Sequence, residues 1–176
     1  QEERAILNCS VNEVIKILKQ EMKEKFGLLC IGCGGSMPYD IQEIGVDFLY
    51  CQQVSVEEAR ELEIKATESF VEIINAHQGI RPYLRDYPWD YRRAKVMISF
   101  NRENGEEYPE GVRLIFHARD QIFYYGPKKH PKEVGITIKE EPYAEAKEIV
   151  NSTPSCLKPL VIKPVEKKKK KWFGIF

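Results

Sequence analysis

Period-two alternation of apolar residues with polar or small ones constrains the fold of this chain more than any other feature. It runs through residues 44–51, where Ile44, Val46, Phe48 and Tyr50 occupy every second position. Successive side chains of a strand point to opposite faces of a sheet, so this pattern predicts a half-buried strand. The same period returns in residues 96–100 and 112–118, and a turn at residues 120–121 leads into a further apolar strand, Ile122-Phe123-Tyr124-Tyr125. With a short apolar strand at 28–31, these segments predict an antiparallel sheet of about five strands, and residues 134–138 are a candidate edge strand.

Two helices are predicted from apolar residues at helical spacing that follow a serine cap. Ser10 and Glu13 have the spacing of a capping box and open a helix over 11–26, which Gly27 ends. Ser55 and Glu58 repeat that spacing and open a second helix that runs to about residue 76. The apolar stripe of the second helix consists of Ala59, Leu62, Ala66, Phe70 and Ile73. Residues 142–150 predict a short final helix.

These elements predict an α+β fold, because strands and helices follow one another without strict alternation. The expected architecture is an antiparallel sheet of about five strands with two main helices packed on one face. The glycine-rich residues 32–38 are expected to form a loop. A globular domain over 5–150 and a proline-containing tail over 151–176 are the expected organisation, and the 43% hydrophobic content suits such a domain.

Charge is distributed unevenly although the chain as a whole is neutral. Lys167, Lys168, Lys169, Lys170 and Lys171 are consecutive, and without them 22 basic side chains face 27 acidic ones, a formal charge of −5. An acidic body repels phosphate backbones, which makes a nucleic-acid partner unlikely. Attraction to an anionic surface is therefore concentrated in the tail.

The tail combines that lysine run with aromatic and aliphatic residues. Trp172, Phe173, Ile175 and Phe176 follow the lysines directly. Basic residues are attracted to anionic lipids, and aromatic rings prefer the headgroup level, so an anionic membrane surface is one expected partner. The alternative is a peptide that docks into a groove of a partner protein.

Five cysteines are present, and an odd count leaves at least one unpaired in a monomer. Cys30 and Cys33 form a C-x-x-C, which suggests a redox or metal site as an alternative function. The residues after it do not begin a helix, and the sequence has no second C-x-x-C. Packing of Cys30 as a small hydrophobe is therefore favoured, and no cofactor is predicted.

His117 is the histidine with the most suggestive neighbours. Alternation places it on one face with Arg113 and Arg119, opposite the apolar row of Val112, Leu114, Phe116 and Ala118. This arrangement predicts an anion-binding or general-base site on the open face of the sheet. The competing interpretation is a solvated face, since no nucleophile is placed beside the imidazole.

Residues 79–93 form an irregular block that two prolines keep from being a regular helix. Its candidate binding residues are Arg81, Tyr83, Arg85, Tyr87 and Trp89. Arginine and aromatic residues are enriched in interface hot spots. The alternative is a loop that packs its rings over the end of the sheet while its arginines pair with Asp86 and Asp90.

The run Ile80-Arg81-Pro82-Tyr83-Leu84-Arg85-Asp86-Tyr87-Pro88-Trp89, placed after the helix that begins Ser55-Val56-Glu57-Glu58, resembles a family of uncharacterised small bacterial proteins. The resemblance covers about residues 34–126, including the Gly34-Gly35-Ser36-Met37 segment. It implies a shared fold and no particular reaction.

The sequence thus predicts a non-enzymatic accessory or binding module attached by its tail to a membrane surface or a partner protein. A small enzyme acting on an anionic substrate around His117 is the alternative, and a small-molecule substrate is not otherwise indicated. A cytoplasmic or membrane-peripheral location is favoured, whereas an export segment upstream of Gln1 would place the protein in the cell envelope.

Overall fold

The computed structural model describes residues 1–160, which fold into an α+β arrangement of three α-helices, one short 3₁₀ helix and six strands. The helices are α1 (Glu2–Phe26), α2 (Val56–Ala76) and α3 (Tyr143–Ser152), with the 3₁₀ helix at Arg81–Tyr83. The strands are β1 (Leu29–Ser36), β2 (Glu43–Tyr50), β3 (Ala94–Phe100), β4 (Leu114–Ala118), β5 (Gln121–Tyr125) and β6 (Thr137–Pro142). The predicted lysine run and terminal aromatic residues lie outside the described residues.

The six strands form one sheet in the order β1-β2-β3-β4-β5-β6. All neighbouring pairs are antiparallel except β2 and β3, which run parallel from Ile44 opposite Ala94 to Tyr50 opposite Phe100. The prediction of an antiparallel sheet of about five strands is therefore corrected to a mixed sheet of six. The parallel pair arises because α2 carries the chain back between β2 and β3, as a parallel connection requires.

One face of the sheet packs against the helices. The strand side chains on this face are buried: Ile44, Val46, Phe48, Val96, Ile98, Phe100, Ile115, Ile122 and Tyr124. Helix α2 lies in the centre of the helical layer, where it contacts β3 and β4, with α1 on one side and α3 on the other. The third helix of the layer, α3, forms where the sequence predicts a short final helix over 142–150 in addition to the two main helices.

Helix α2 begins where the sequence predicts it. The Ser55 side chain accepts a hydrogen bond from the Glu58 backbone N–H at 3.1 Å, which satisfies one of the unpaired donors of the first turn. Helix α1 begins at Glu2, nine residues earlier than position 11. Ser10 is therefore an interior residue of α1 and does not cap it. Acidic residues in the first turn favour the earlier start of the helix.

The glycine-rich segment is part of β1 and not the predicted loop. Gly35 pairs with Ile44, and a Cβ atom at Gly35 would lie 2.5 Å from the Glu43 carbonyl oxygen. Glycine is therefore needed where β1 and β2 approach closely. The register shifts between Cys30 and Gly32, so a β-bulge at Ile31 divides the strand.

The chain beyond α3 packs back onto the helical layer. Glu61 of α2 accepts a hydrogen bond from the Cys156 backbone N–H at 2.9 Å. Leu160 lies at Gly27, where a Cβ atom would be 2.8 Å from its Cδ2. Residues 153–160, predicted as part of an extended tail, are thus attached to the domain.

Candidate functional site

The face of the sheet opposite the helices is the first candidate site. Its central side chains, here called the aromatic face, are half-buried and largely apolar: Leu49, Met97, Leu114, Phe116, Phe123 and Tyr125. Phe116 is stacked against Phe123, with ring centroids 5.3 Å apart, and against Tyr125 at 5.8 Å. None of the helices in residues 1–160 packs on this side. A sheet face of this composition suits packing against another apolar surface.

The orientation of β4 is opposite to the one predicted. Ile115 and His117 point toward the helices, where His117 is 2% exposed, whereas Leu114, Phe116 and Ala118 lie on the aromatic face. Both rows of β4 contain apolar residues, so alternation alone does not determine which row is buried. The prediction of a general-base site on the open face is therefore wrong, because the imidazole of His117 lies on the opposite face of the sheet.

Arg113 and Arg119 do not accompany His117. Arg113 precedes β4 and donates hydrogen bonds to the carbonyl oxygens of Gly126 and Val134. Arg119 is exposed in the turn between β4 and β5, where its φ of 49° lies in the left-handed region. The structure thus separates the three side chains that the sequence grouped together.

His117 forms a buried pair with Glu63 of α2 instead. Its Nδ1 lies 2.8 Å from Glu63 Oε1, and its Nε2 lies 2.8 Å from the Tyr91 carbonyl oxygen. A carbonyl oxygen only accepts, so Nε2 carries a hydrogen and donates to it. Besides this Nε2 hydrogen, the pair shares a second proton, which lies between His117 Nδ1 and the Glu63 carboxyl group.

The environment of this pair favours retention of that proton. Burial raises the pKa of Glu63. Burial disfavours the charged form of His117, but the hydrogen bond and the negative charge of Glu63 outweigh it and raise the pKa of His117. Glu63 Oε2 and Thr67 Oγ1, one helical turn apart, are buried without a hydrogen-bond partner within the described part of the chain. This polar pair therefore has the chemistry of an acid and base, enclosed in the core.

A second buried polar group lies between α2 and the β6 edge. Arg60 holds Glu141 through two hydrogen bonds, of 2.7 and 3.1 Å, and the Tyr124 hydroxyl donates to the same carboxylate. Burial opposes ionisation of Glu141, but these donors outweigh it and lower its pKa. Arg60 and Glu141 are nearly inaccessible, so the pair fastens α2 to the sheet.

The functional residues predicted from the sequence do not include Arg60, Glu63, Tyr124 or Glu141. A pattern that could have revealed two of them is the presence of Arg60, Glu63 and Thr67 beside the apolar stripe of α2, at spacings of three and four. Such residues lie on one side of a helix, and a helix in the middle of a layer buries more than one stripe. Their partners on β4 and β6 could not be deduced from spacing.

The block over residues 79–93 packs on itself and on the end of α2. Trp89 is 2% exposed, and its backbone N–H and C=O are both hydrogen-bonded to the Asn75 side chain, at 2.7 and 2.8 Å. Tyr83 is partly buried against the core. These two predicted binding residues therefore serve packing, as the alternative interpretation of the block expects.

The arginines of the block find partners nearby. Arg85 donates a hydrogen bond of 2.9 Å to Asp40, which lies outside the block. Within the block, Arg92 pairs with Asp90 and Arg93 pairs with Asp86. Arg81 stacks over the ring of Tyr87 at 4.5 Å and donates to the Asn75 carbonyl oxygen. Tyr87 remains 51% exposed.

Cys30 and Cys33 lie in β1 and not at the start of a helix. Burial raises the pKa of Cys30, whereas a reactive thiol needs a lowered pKa. All five cysteines are unpaired. Residues 1–160 contain no group of three or more His, Cys, Asp or Glu side chains arranged to hold a metal ion.

No family model, curated protein or solved structure matches this chain. The resemblance of the 80–89 run to small bacterial proteins therefore stays a prediction.

Among the described residues, no helix combines the length and apolar character needed to cross a bilayer.

Proposed function

We propose that this protein is a non-enzymatic binding module attached to an anionic membrane surface by its C-terminal tail. The observation that carries the proposal is the sequence of the tail, in which Lys167–Lys171 are followed by Trp172, Phe173, Ile175 and Phe176. Each lysine near an anionic leaflet contributes about 1 kcal/mol, and interfacial aromatic residues add a second, apolar attraction. Two such contributions together give stable attachment where either alone is weak and reversible.

The described part of the chain supports attachment of the domain through the tail. Cys156 is hydrogen-bonded to Glu61, and Leu160 packs at Gly27, so the last residues described before the lysine run are held against the domain. The hydrogen bonds from Lys65, Ser155 and Cys156 outweigh burial and lower the pKa of Glu61 to about 2, which keeps this acceptor ionised. Lysines that begin seven residues after Leu160 would hold the domain close to the bilayer.

The fold supports a binding role more than the enzymatic alternative. His117 lies on the helix-covered face, away from Arg113 and Arg119, so the open face lacks the imidazole on which that alternative depends. That face presents the apolar side chains of the aromatic face instead, a composition typical of surfaces that bind.

Flotation of the full chain with phosphatidylserine-containing vesicles tests the proposal. We expect the full chain to float with these vesicles and to stay at the bottom with neutral phosphatidylcholine vesicles, since the lysines require anionic lipid. Truncation after Glu166 should abolish flotation. Substitution of Trp172, Phe173 and Phe176 by serine should weaken it at least tenfold, because the apolar contribution is lost.

A matched pair of charge variants makes the test specific. Lys168→Glu/Lys170→Glu should reduce flotation strongly, whereas Lys129→Glu/Lys132→Glu, which makes the same change at two exposed positions of the domain, should reduce it much less. The proposal is wrong if the full chain does not float, or if the truncated chain floats equally well. Equal losses in the two charge variants would also overturn it.

A further inference from the structure

The two edges of the sheet differ in how they are protected against pairing with another strand. The β6 edge carries Lys139, Glu140 and Glu141 and ends at Pro142. Charged residues and proline are the usual means by which edge strands avoid other strands. The eight residues of β1 contain no charge and no proline, and no strand within residues 1–160 pairs with its outer side. The β1 edge is thus the one suited to pairing.

The β1 edge also exposes apolar surface. Leu29 is 40% exposed, and Ile31, which the bulge displaces from the regular register, is 60% exposed. On the helical side, an open groove of about 290 Å³ lies between α1 and β1 and includes Val11, Ile15 and Met37 in its lining. A strand added to this edge would contact both the exposed side chains and the groove, as in recognition by strand addition.

We propose that the β1 edge pairs with β1 of a second copy of this chain, antiparallel about a two-fold axis, to form a homodimer with a continuous sheet. Such an axis is perpendicular to the sheet, so both helical layers lie on the same side and the two copies of α1 run antiparallel. The dimer would cover the exposed Leu29 and Ile31 of both copies. This inference is independent of membrane attachment.

The charges of α1 favour a second copy as the occupant. Residues 2–13 carry three glutamates and one arginine, whereas residues 14–26 carry four lysines and two glutamates. In an antiparallel pair the acidic half of each helix lies beside the basic half of the other, which is an attractive arrangement. A parallel pair would place like charges together.

Analytical ultracentrifugation of the full chain over a wide concentration range tests the inference. The experiment is run in a reductant so that the exposed Cys9 and Cys33 cannot form disulfides. We expect a reversible monomer–dimer equilibrium in which the dimer has twice the 20.5 kDa monomer mass. Ile31→Lys places a charge on the pairing edge and should raise the dissociation constant at least tenfold.

The matched control is Ile138→Lys, which makes the same change at an isoleucine that is 46% exposed on the β6 edge. It should leave the dissociation constant within about twofold of the original. Equal effects of the two substitutions, or a chain that stays monomeric throughout, would overturn the inference. Circular dichroism confirms that both variants are folded.

Amide hydrogen exchange of the unmodified chain gives a measurement that does not depend on a variant. The backbone amides of β1 should become more protected as the protein concentration rises, and those of β6 should not change. Protection that is independent of concentration in β1, or that rises in β6 instead, would contradict pairing through the β1 edge.

Discussion

The Nδ1 atom of His117 lies 2.8 Å from Oε1 of Glu63, and the two side chains are 1% and 0% exposed. A histidine and a glutamate so completely enclosed hold a proton between them, because without it Glu63 would be a buried carboxylate with no cation beside it. Their titration is therefore linked to folding.

Glu63→Gln is expected to remove a pH dependence of stability. The folded pair has raised pKa values for both groups, so the folded protein binds more protons than the unfolded chain. The unfolded chain loses the proton that the folded pair shares above about 6.5, the ordinary pKa of histidine. The stabilising contribution is therefore fully present below that pH and is lost as pH rises through the folded pKa. The free energy of unfolding should fall over that window in the unmodified protein and stay nearly flat in Glu63→Gln.

Urea denaturation at a series of pH values measures this effect. Glu57→Gln is the control, since it makes the same change at an exposed position of α2. The destabilisation by Glu63→Gln, about 1–3 kcal/mol at low pH, should shrink as pH rises. Parallel pH curves for Glu63→Gln and the unmodified protein would contradict the linkage.

Arg60→Met should destabilise the fold by about 3 kcal/mol, because it leaves the buried Glu141 carboxylate with only the partly exposed Lys139, 3.7 Å away, as its cation. The double variant Arg60→Met/Glu141→Gln should be more stable than Arg60→Met alone, since glutamine is neutral and still accepts from Tyr124. Arg92→Met removes exposed ion pairs with Asp90 and Asp120 and should destabilise the fold much less than Arg60→Met. Chemical denaturation measures the free energy of unfolding of the three variants. A double variant less stable than Arg60→Met would refute the argument.

Ser55→Ala and Ser10→Ala should differ although both serines have capping-box spacing. Ser55 accepts a hydrogen bond from the Glu58 N–H, and its loss should cost about 1 kcal/mol. Ser10 lies inside α1, where alanine is a better helix former, so Ser10→Ala should cost less than about 0.5 kcal/mol. Thermal or urea unfolding measures the stability of the two variants. Equal losses of stability would contradict the assigned start of α1.

Asn75→Ala should destabilise the protein by about 2 kcal/mol, because Asn75 makes two hydrogen bonds to the backbone of the buried Trp89. Arg85→Ala removes only a partly exposed pair with Asp40 and should destabilise the protein much less than Asn75→Ala. Urea midpoints measure the difference. A larger loss in Arg85→Ala would show that the block is held chiefly by its charged contacts.

Local sequence patterns predicted the elements whose own residues determine them. Helix α2 has its cap at Ser55 and a stripe from Ala59 to Phe70, and it forms over the expected range. Strand β2 shows clean alternation from Ile44 to Tyr50 with the expected row buried. Both rest on interactions between residues close in the chain.

The sequence did not predict other features, because these depend on residues that are distant in the chain. The glycines of β1 form a strand only because the Glu43 backbone approaches Gly35 closely. The parallel pairing of β2 with β3 depends on where α2 packs, although a strand–helix–strand succession was visible in the sequence. No spacing rule connects Arg60 with Glu141.

The sequence by itself determined the α+β class, the positions of α2 and β2 and the composition of the tail, because these follow from periodicity, capping and composition within short stretches. Only the tertiary structure decided that His117 points to Glu63 and not to the open face. Both rows of β4 can be buried, and the row that turns inward is fixed by the charged and polar partners that α2 supplies from 54 positions away.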